Sequence, residues 1–287
     1  MTKPSSLSVW QAGAEALSCG RSVDEQLDTI RRFGSQAATP VLRTRLFAAL
    51  GIAPPKAQAE NCILFGCYRP FADPFLVRDY LRVLDLLDVD YTYLDQEQCC
   101  GVPFSMMKRG AERDAAVAAS TEFNLQNDEL ARQKGATRLA YCCTGCAYAA
   151  RTDFPNALDN HVYLPDLIFD HLEQRTLAIA PTSIGYFEGC HTFAKSAYPA
   201  NAVDWSRYRK RLGEIDGLRI VDIPNNRCCK NSADELIDHA VEMGVDTILS
   251  PCNGCLTSLG QAGQRKVTMI SLPELLLRVG KDKDRIT

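Results

Sequence analysis

The chain has 287 residues, 46% hydrophobic and 23% charged, which is enough apolar material to bury a core in one large domain or two small ones. A formal net charge of -3, with acidic and basic residues interspersed, lacks the basic footprint that a phosphate backbone requires, so nucleic acid is not an expected partner. No uncharged apolar run reaches the roughly 18 residues that span a bilayer, and the polar start Met1-Thr2-Lys3-Pro4 carries no visible secretory signal, so the expected location is cytoplasmic, without direct membrane insertion.

In chain order, residues 1–60 form an extension, with an amphipathic helical stretch at Leu27, Ile30 and Phe33 and a basic helical stretch over 41–50. Either stretch could pack on the body or dock a subunit. The segment 53–60, with Pro54-Pro55 at its centre, reads as a linker. A short apolar run at 62–65 then predicts a buried strand ending at Gly66-Cys67-Tyr68, followed by a helical pattern over 74–88. A strand at 91–94 precedes Cys99-Cys100-Gly101, and a helical pattern covers 106–134. The run 138–141 leads into Cys143-Thr144-Gly145-Cys146, and Leu164-Pro165-Asp166-Leu167 opens another helix, where proline suits the first turn.

The same landmarks then recur in the same order. Strands at 184–187, 220–223 and 247–250 lead toward Gly189-Cys190-His191, Cys228-Cys229-Lys230 and Cys252-Asn253-Gly254-Cys255; a helix is expected over 231–244, and Leu272-Pro273-Glu274-Leu275 closes the series. Strand and helix alternating at this rhythm predict an α/β fold of two homologous, Rossmann-like parallel-sheet halves, with domains at 61–178 and 179–287 after the 1–60 extension. Ligands of such sheets gather beyond the carboxyl ends of the strands, where every matched cysteine group is expected.

Thirteen cysteines in a chain without an export signal point to thiolates kept free for soft metals rather than to disulfides. Each half supplies a lone cysteine, an adjacent pair and a Cys-x-x-Cys: Cys67, Cys99, Cys100, Cys143 and Cys146, then Cys190, Cys228, Cys229, Cys252 and Cys255. Five sulfurs exceed the four that a tetrahedral zinc or a cubane cluster takes from protein, so one bridges or one is spare. Glycine inside each Cys-x-x-Cys lets backbone approach the metal, and a following helix start favours an anionic group. Cys19, Cys62 and Cys142 have no counterparts and are expected to be small buried side chains, with Cys142 an alternative ligand. A redox dithiol or a zinc or sensor site stays open for any single Cys-x-x-Cys.

With these residues in view, positions 61–287 resemble the B subunit of heterodisulfide reductase, a family with two cysteine-rich CCG domains. The resemblance implies two noncubane 4Fe-4S clusters, one per half, facing each other across a pseudo-twofold, with a disulfide cleaved between them. It also implies complex partners, a ferredoxin-like iron-sulfur subunit and a flavin-containing subunit, and a small disulfide, thiol or carrier-bound sulfur as substrate. The same domains are similar to parts of bacterial sulfur-oxidation complexes and of lactate and glycolate oxidation proteins. This chain departs from the pattern at Lys230, which stands in place of a glycine, in the short Cys229–Cys252 interval, and in its extension. His191 and Lys230, each beside a cysteine, are candidate proton donors or anion-binding groups; His161, His171 and His239 are expected to be structural. A relay or scaffolding subunit without its own substrate site is the alternative of a different class.

Overall fold

The computed structural model describes residues 23–35, 40–67, 69–101, 110–152, 160–189, 204–224, 227–229, 231–263 and 266–279. Cys19, Cys190, His191 and Lys230 lie outside the described residues. The chain divides into two compact units, Met1–Leu81 with Asp90–Leu164, and Arg82–Val89 with Pro165–Thr287.

The first unit begins with helices α1 (Val23–Phe33) and α2 (Pro40–Ala49) and continues through β1 (Asn61–Leu64), α3 (Arg69–Ala72), α4 (Pro74–Leu86, of which Arg82 onward counts with the second unit), β2 (Tyr91–Tyr93), α5 (Gly110–Gln133), β3 (Arg138–Tyr141), α6 (Thr144–Thr152) and β4 (His161–Tyr163). Its strands form one parallel sheet in the order β2-β1-β3-β4, with Asn61 opposite both Tyr91 and Arg138 and Leu64 opposite Tyr141. A strand covered on both faces needs apolar residues at successive rather than alternate positions, and β1 supplies Cys62, Ile63 and Leu64, all buried, while its buried polar first residue Asn61 donates its side-chain amide to the Asp90 carbonyl at 2.8 Å. Asp73 caps α4 by accepting the Leu76 N–H at 3.1 Å, one residue ahead of Pro74 at the first helical position.

The second unit contains α7 (Leu164–Leu172), β5 (Ala178–Tyr186), α8 (Trp205–Gly213), β6 (Asp216–Asp222), α9 (Ala233–Glu242), β7 (Thr247–Leu249), α10 (Asn253–Gly263), β8 (Thr268–Ile270) and α11 (Leu272–Val279). Its sheet is again parallel, in the order β6-β5-β7-β8. Counted from the first strand of each sheet, the two orders are identical. Ser271 accepts the Glu274 N–H at 3.2 Å, the Ser-x-x-Glu spacing that starts α11. Phe169 of α7 stacks on Tyr208 of α8 with ring centroids 4.9 Å apart.

The fold class matches the sequence expectation: two parallel α/β halves. Each sheet has a fourth strand that the sequence reading lacks. At three residues, β4 and β8 are too short to carry a periodic signal, and they run straight into their Leu-Pro helices. β5 is also longer than expected. Its first half is nowhere buried and contains Pro181, which reads as loop, yet it pairs with β6 through a register shift between Ala178 and Thr182. Among the described residues, no helix is long and apolar enough to cross a membrane.

Of the amphipathic stretch in the extension, Leu27 and Ile30 are buried in α1, while Phe33 is exposed. Residues 53–60, which read as a linker, lie along the β2 edge. Ala53 O accepts the Tyr93 hydroxyl at 2.6 Å, Lys56 O accepts the Thr92 hydroxyl at 2.7 Å, and Glu60 N–H donates to the Asp90 carboxylate at 2.9 Å.

Candidate metal centres

In both sheets the first strand lies at the centre, with the second strand on one side and the third on the other. That is a topological switch point, and ligands of such sheets gather there beyond the carboxyl ends. The cysteine groups follow those ends. In the first unit, Cys67 follows β1, Cys99 and Cys100 follow β2, and Cys143 and Cys146 flank the start of α6 after β3.

The five sulfurs of the first unit form a chain of contacts. Cys99 Sγ lies 3.2 Å from Cys67 Sγ, and Cys146 Sγ lies 3.0 Å from Cys100 Sγ. Cys99 and Cys100 are hydrogen-bonded to each other, as are Cys146 and Cys143. The row therefore runs Cys67, Cys99, Cys100, Cys146, Cys143, and it is drawn from three loops far apart in sequence. The hydrogen-bonding contact with Cys146 pushes the Cys143 thiol down to about 6 against its burial; the Arg69 guanidinium and the N–H groups of Cys146 and Gly145 at the helix start act in the same direction. Cys67 is held well above the ordinary thiol value by its hydrogen bond with Cys99 and by burial, and Cys146 likewise by Cys100 and Cys143. For Cys100 the Cys146 contact lowers the value, but Cys99 and burial outweigh it and the net shift is upward.

The second unit repeats the arrangement with the residues described there. Cys229 is hydrogen-bonded to Cys255 and Cys228, and Cys255 to Cys252. Cys255 pushes the Cys229 thiol down to about 7, helped by Ser258 and Cys228, while the same contact and the one to Cys252 raise Cys255 far above its ordinary value. Gly66 and Gly189 occupy matching places before Cys67 and Cys190, both with positive φ, +82 and +85. A side chain at Gly66 would sit 3.6 Å from Cys146 Sγ, and one at Gly189 would sit 2.6 Å from Cys255 Sγ. Both glycines leave room for backbone close to sulfur.

None of the described cysteines forms a disulfide. Cys62 and Cys142 are fully buried on or beside the central strands, and burial pushes the Cys62 thiol up to about 12 and the Cys142 thiol higher still. His161 bonds to the Tyr141 hydroxyl at 2.7 Å, and His171 to the Leu167 carbonyl at 2.9 Å one helical turn earlier. Among the described residues, no three Cys, His, Asp or Glu groups are grouped as a single metal ion would require.

Several residues that hold the first site in shape were not singled out in the sequence. Asn127 of α5 accepts the Gln98 N–H at 2.7 Å and donates to the Gln98 carbonyl at 2.8 Å, and Asn124 donates to Cys100 O at 3.1 Å. Ser120 packs so close to Gly101 that a side chain at Gly101 would lie 2.0 Å from its hydroxyl. Ser120, Asn124 and Asn127 share one helix face, at a spacing of four and then three residues. That spacing was readable, but a polar face ordinarily marks the solvent side.

A parallel α/β protein with a nest of thiols at the carboxyl edge of each sheet is the class these features define. The chain belongs to the family of the cysteine-rich CCG domain, whose family model matches it twice, at residues 63–150 and 184–260. It is similar to the D subunit of a dihydromethanophenazine:CoB--CoM heterodisulfide reductase from Methanosarcina acetivorans, with 23% identity over 71% of this chain and 54% of that one. It is also similar to the C subunit of an anaerobic glycerol-3-phosphate dehydrogenase from Escherichia coli K12, with 26% identity over 62% of this chain and 45% of the relative. The chain thus spans about half the length of the curated relatives it matches. Among solved structures, an aspartate racemase homologue from Pyrococcus horikoshii is 12% identical, covering 76% of this chain and 96% of that one at a TM-score of 0.33, too loose a likeness to bear on function.

Proposed function

We propose that the chain is an iron-sulfur oxidoreductase subunit in which each CCG domain, at 61–178 and 179–287, holds a noncubane 4Fe-4S cluster. Within a larger complex it would cleave or form a disulfide, or act on a related thiol or carrier-bound sulfur. The observation that carries this reading is the row of five sulfurs in the first unit. A donor set made only of thiolates suits iron and sulfide, and a row of five suits an extended multi-iron group better than one ion. The helix start at Gly145 and Cys146 brings backbone N–H groups to the Cys143 sulfur, where they favour the charged group. Cys67, Cys99, Cys100, Cys143 and Cys146 would hold one cluster, and Cys190, Cys228, Cys229, Cys252 and Cys255 the other.

A bound iron-sulfur cluster supplies electrons one at a time. Opening one disulfide to two thiols takes two electrons and two protons, which two matched sites can meet with one electron each. His191 and Lys230 are the proposed proton donors or anion-binding groups for the thiolate products. The Methanosarcina relative, named for a heterodisulfide, supports this substrate class. A relay role without a substrate site is the second reading, favoured by the Escherichia coli relative, whose named substrate contains no sulfur. A ferredoxin-like iron-sulfur subunit and a flavin-containing subunit are the proposed partners under either reading.

Protein purified without oxygen and treated with a small disulfide separates the two. A change in the paramagnetic signal of the clusters on adding the disulfide, lost in His191→Ala or Lys230→Ala, supports turnover at this chain. A signal indifferent to every disulfide and polysulfide offered, in the assembled complex, leaves the relay.

A further inference from the structure

We propose that the N-terminal extension is a clamp on the first cysteine site, with Arg43 as its positioning residue. The clamp rests on side-chain geometry; its consequence for a cluster rests on the function proposed above.

The key is a carboxylate between two cysteine loops. Glu97 lies two residues before Cys99, and its side chain is 3% exposed. It accepts the N–H of Phe65 at 3.0 Å and that of Gly66, so one side chain ties the loop after β2, which carries Cys99, to the loop after β1, which carries Cys67. A carboxylate buried this deeply would be strongly destabilising without a countercharge. Arg43, from α2 of the extension, provides one at 3.4 Å, with its own side chain 8% exposed. Its second nitrogen donates to the Leu94 carbonyl and, at 3.2 Å, to the Asp95 carbonyl, so the planar fork grips the backbone leading to the cysteine pair as well as the carboxylate. The Phe47 ring lies 5.6 Å from the guanidinium and packs on Phe65 and Tyr93.

α1 adds a second grip from the other side. The carbonyl of Gly34 accepts the Cys99 N–H at 2.8 Å, and the Ser35 hydroxyl donates to the Cys67 carbonyl at 3.3 Å. Gly34 has a φ of +72, and a side chain there would lie 2.6 Å from the Glu97 carbonyl, so only glycine fits this crossing. Leu27 and Ile30 complete the cover by packing with Cys99, Ala116 and Phe123, against which Cys67 also packs. The extension therefore directs the buried face of α1 and the one buried charge described in α2 onto Cys67 and Cys99, two sulfurs in contact with each other.

The test uses the full chain with Arg43→Met, which keeps the stem but removes charge and donors, and Arg43→Lys, which restores the charge without the fork. In reduced, metal-free protein, alkylation of Cys67 and Cys99 is followed by mass spectrometry, with Cys252 and Cys255 as internal references. The clamp predicts that Arg43→Met labels Cys67 and Cys99 about tenfold faster through local opening, with Cys252 and Cys255 unchanged and Arg43→Lys in between. In a Cys255→Ala background reconstituted with iron and sulfide, Arg43→Met also shifts the reduction potential of the remaining cluster. Equal labelling rates in variant and parent, or a rise at all four cysteines alike, overturn the clamp. If the parent protein takes up no iron, the proposed function fails while the labelling still decides the clamp.

Discussion

In the first unit the adjacent pair Cys99-Cys100 is held by side chains from far along the chain. Asn127 clasps both backbone groups of Gln98, Asn124 holds the Cys100 carbonyl, and the extension grips Cys99 and Glu97. In the second unit, among the described residues, the backbone of Cys228-Cys229 is held by near neighbours: the Cys228 carbonyl accepts the N–H groups of Asn231 and Ser232 at 3.1 and 3.0 Å, and the chain passes directly into α9. α5 has 24 residues and α9 has 10. The two units thus share strand order and sulfur placement but differ in how the central loop is supported. The first loop depends on tertiary contacts and should fail when α5 or the extension is disturbed; the second should be insensitive to both.

The harshest way to sharpen that comparison is Gly101→Ala. The new methyl group would meet Ser120 Oγ at 2.0 Å, Cβ at 2.8 Å and Cα at 3.2 Å, at a φ of +71, so α5 itself has to move. The expected cost is about 3 kcal/mol from overpacking and left-handed strain, seen as an early loss of the first unit in chemical denaturation and of its iron. In the second unit the matching sequence position is Lys230 rather than glycine. Next in size is the contrast between Gly189→Ala and Gly66→Ala. Both incur left-handed strain of about 1–2 kcal/mol, but only at Gly189 does the methyl group fall within 2.6 Å of sulfur, whereas at Gly66 the nearest atoms are at 3.5 and 3.6 Å. Iron retention measured after gel filtration should drop more in Gly189→Ala. The smallest effect is expected for Cys62→Ala, which removes a fully buried sulfur outside the row. It should cost about 1 kcal/mol in thermal stability and leave iron content unchanged; loss of iron would make Cys62 part of a site.

The parts legible in the sequence are those where chemistry dictates residue type. Only cysteine supplies the sulfurs that the fold brings into one row, so Cys99-Cys100 and Cys143-x-x-Cys146 stand out, and the buried strands before them advertise themselves as apolar runs. The Leu27 and Ile30 spacing likewise announced the inner face of α1. The illegible parts are polar groups buried by tertiary contact. Arg43 and Glu97 look like surface charges until the fold brings them together, although they are 54 positions apart in the chain. Ser120, Asn124 and Asn127 look like a solvent face for the same reason. Segment 53–60 reads as a linker because Pro-Pro cannot enter a helix interior, yet an extended strap suits proline equally well and satisfies Tyr93 and Thr92 at the sheet edge.

The central proposal is that the two thiol nests are separate and that each binds iron by itself. The most direct measurement is iron and acid-labile sulfide per chain in anaerobically prepared parent, Cys146→Ala, Cys255→Ala and double-variant proteins. The account predicts about eight irons in the parent, about half of that in each single variant and almost none in the double. A colourless parent, zinc in place of iron, or a single variant that empties both sites at once would contradict it.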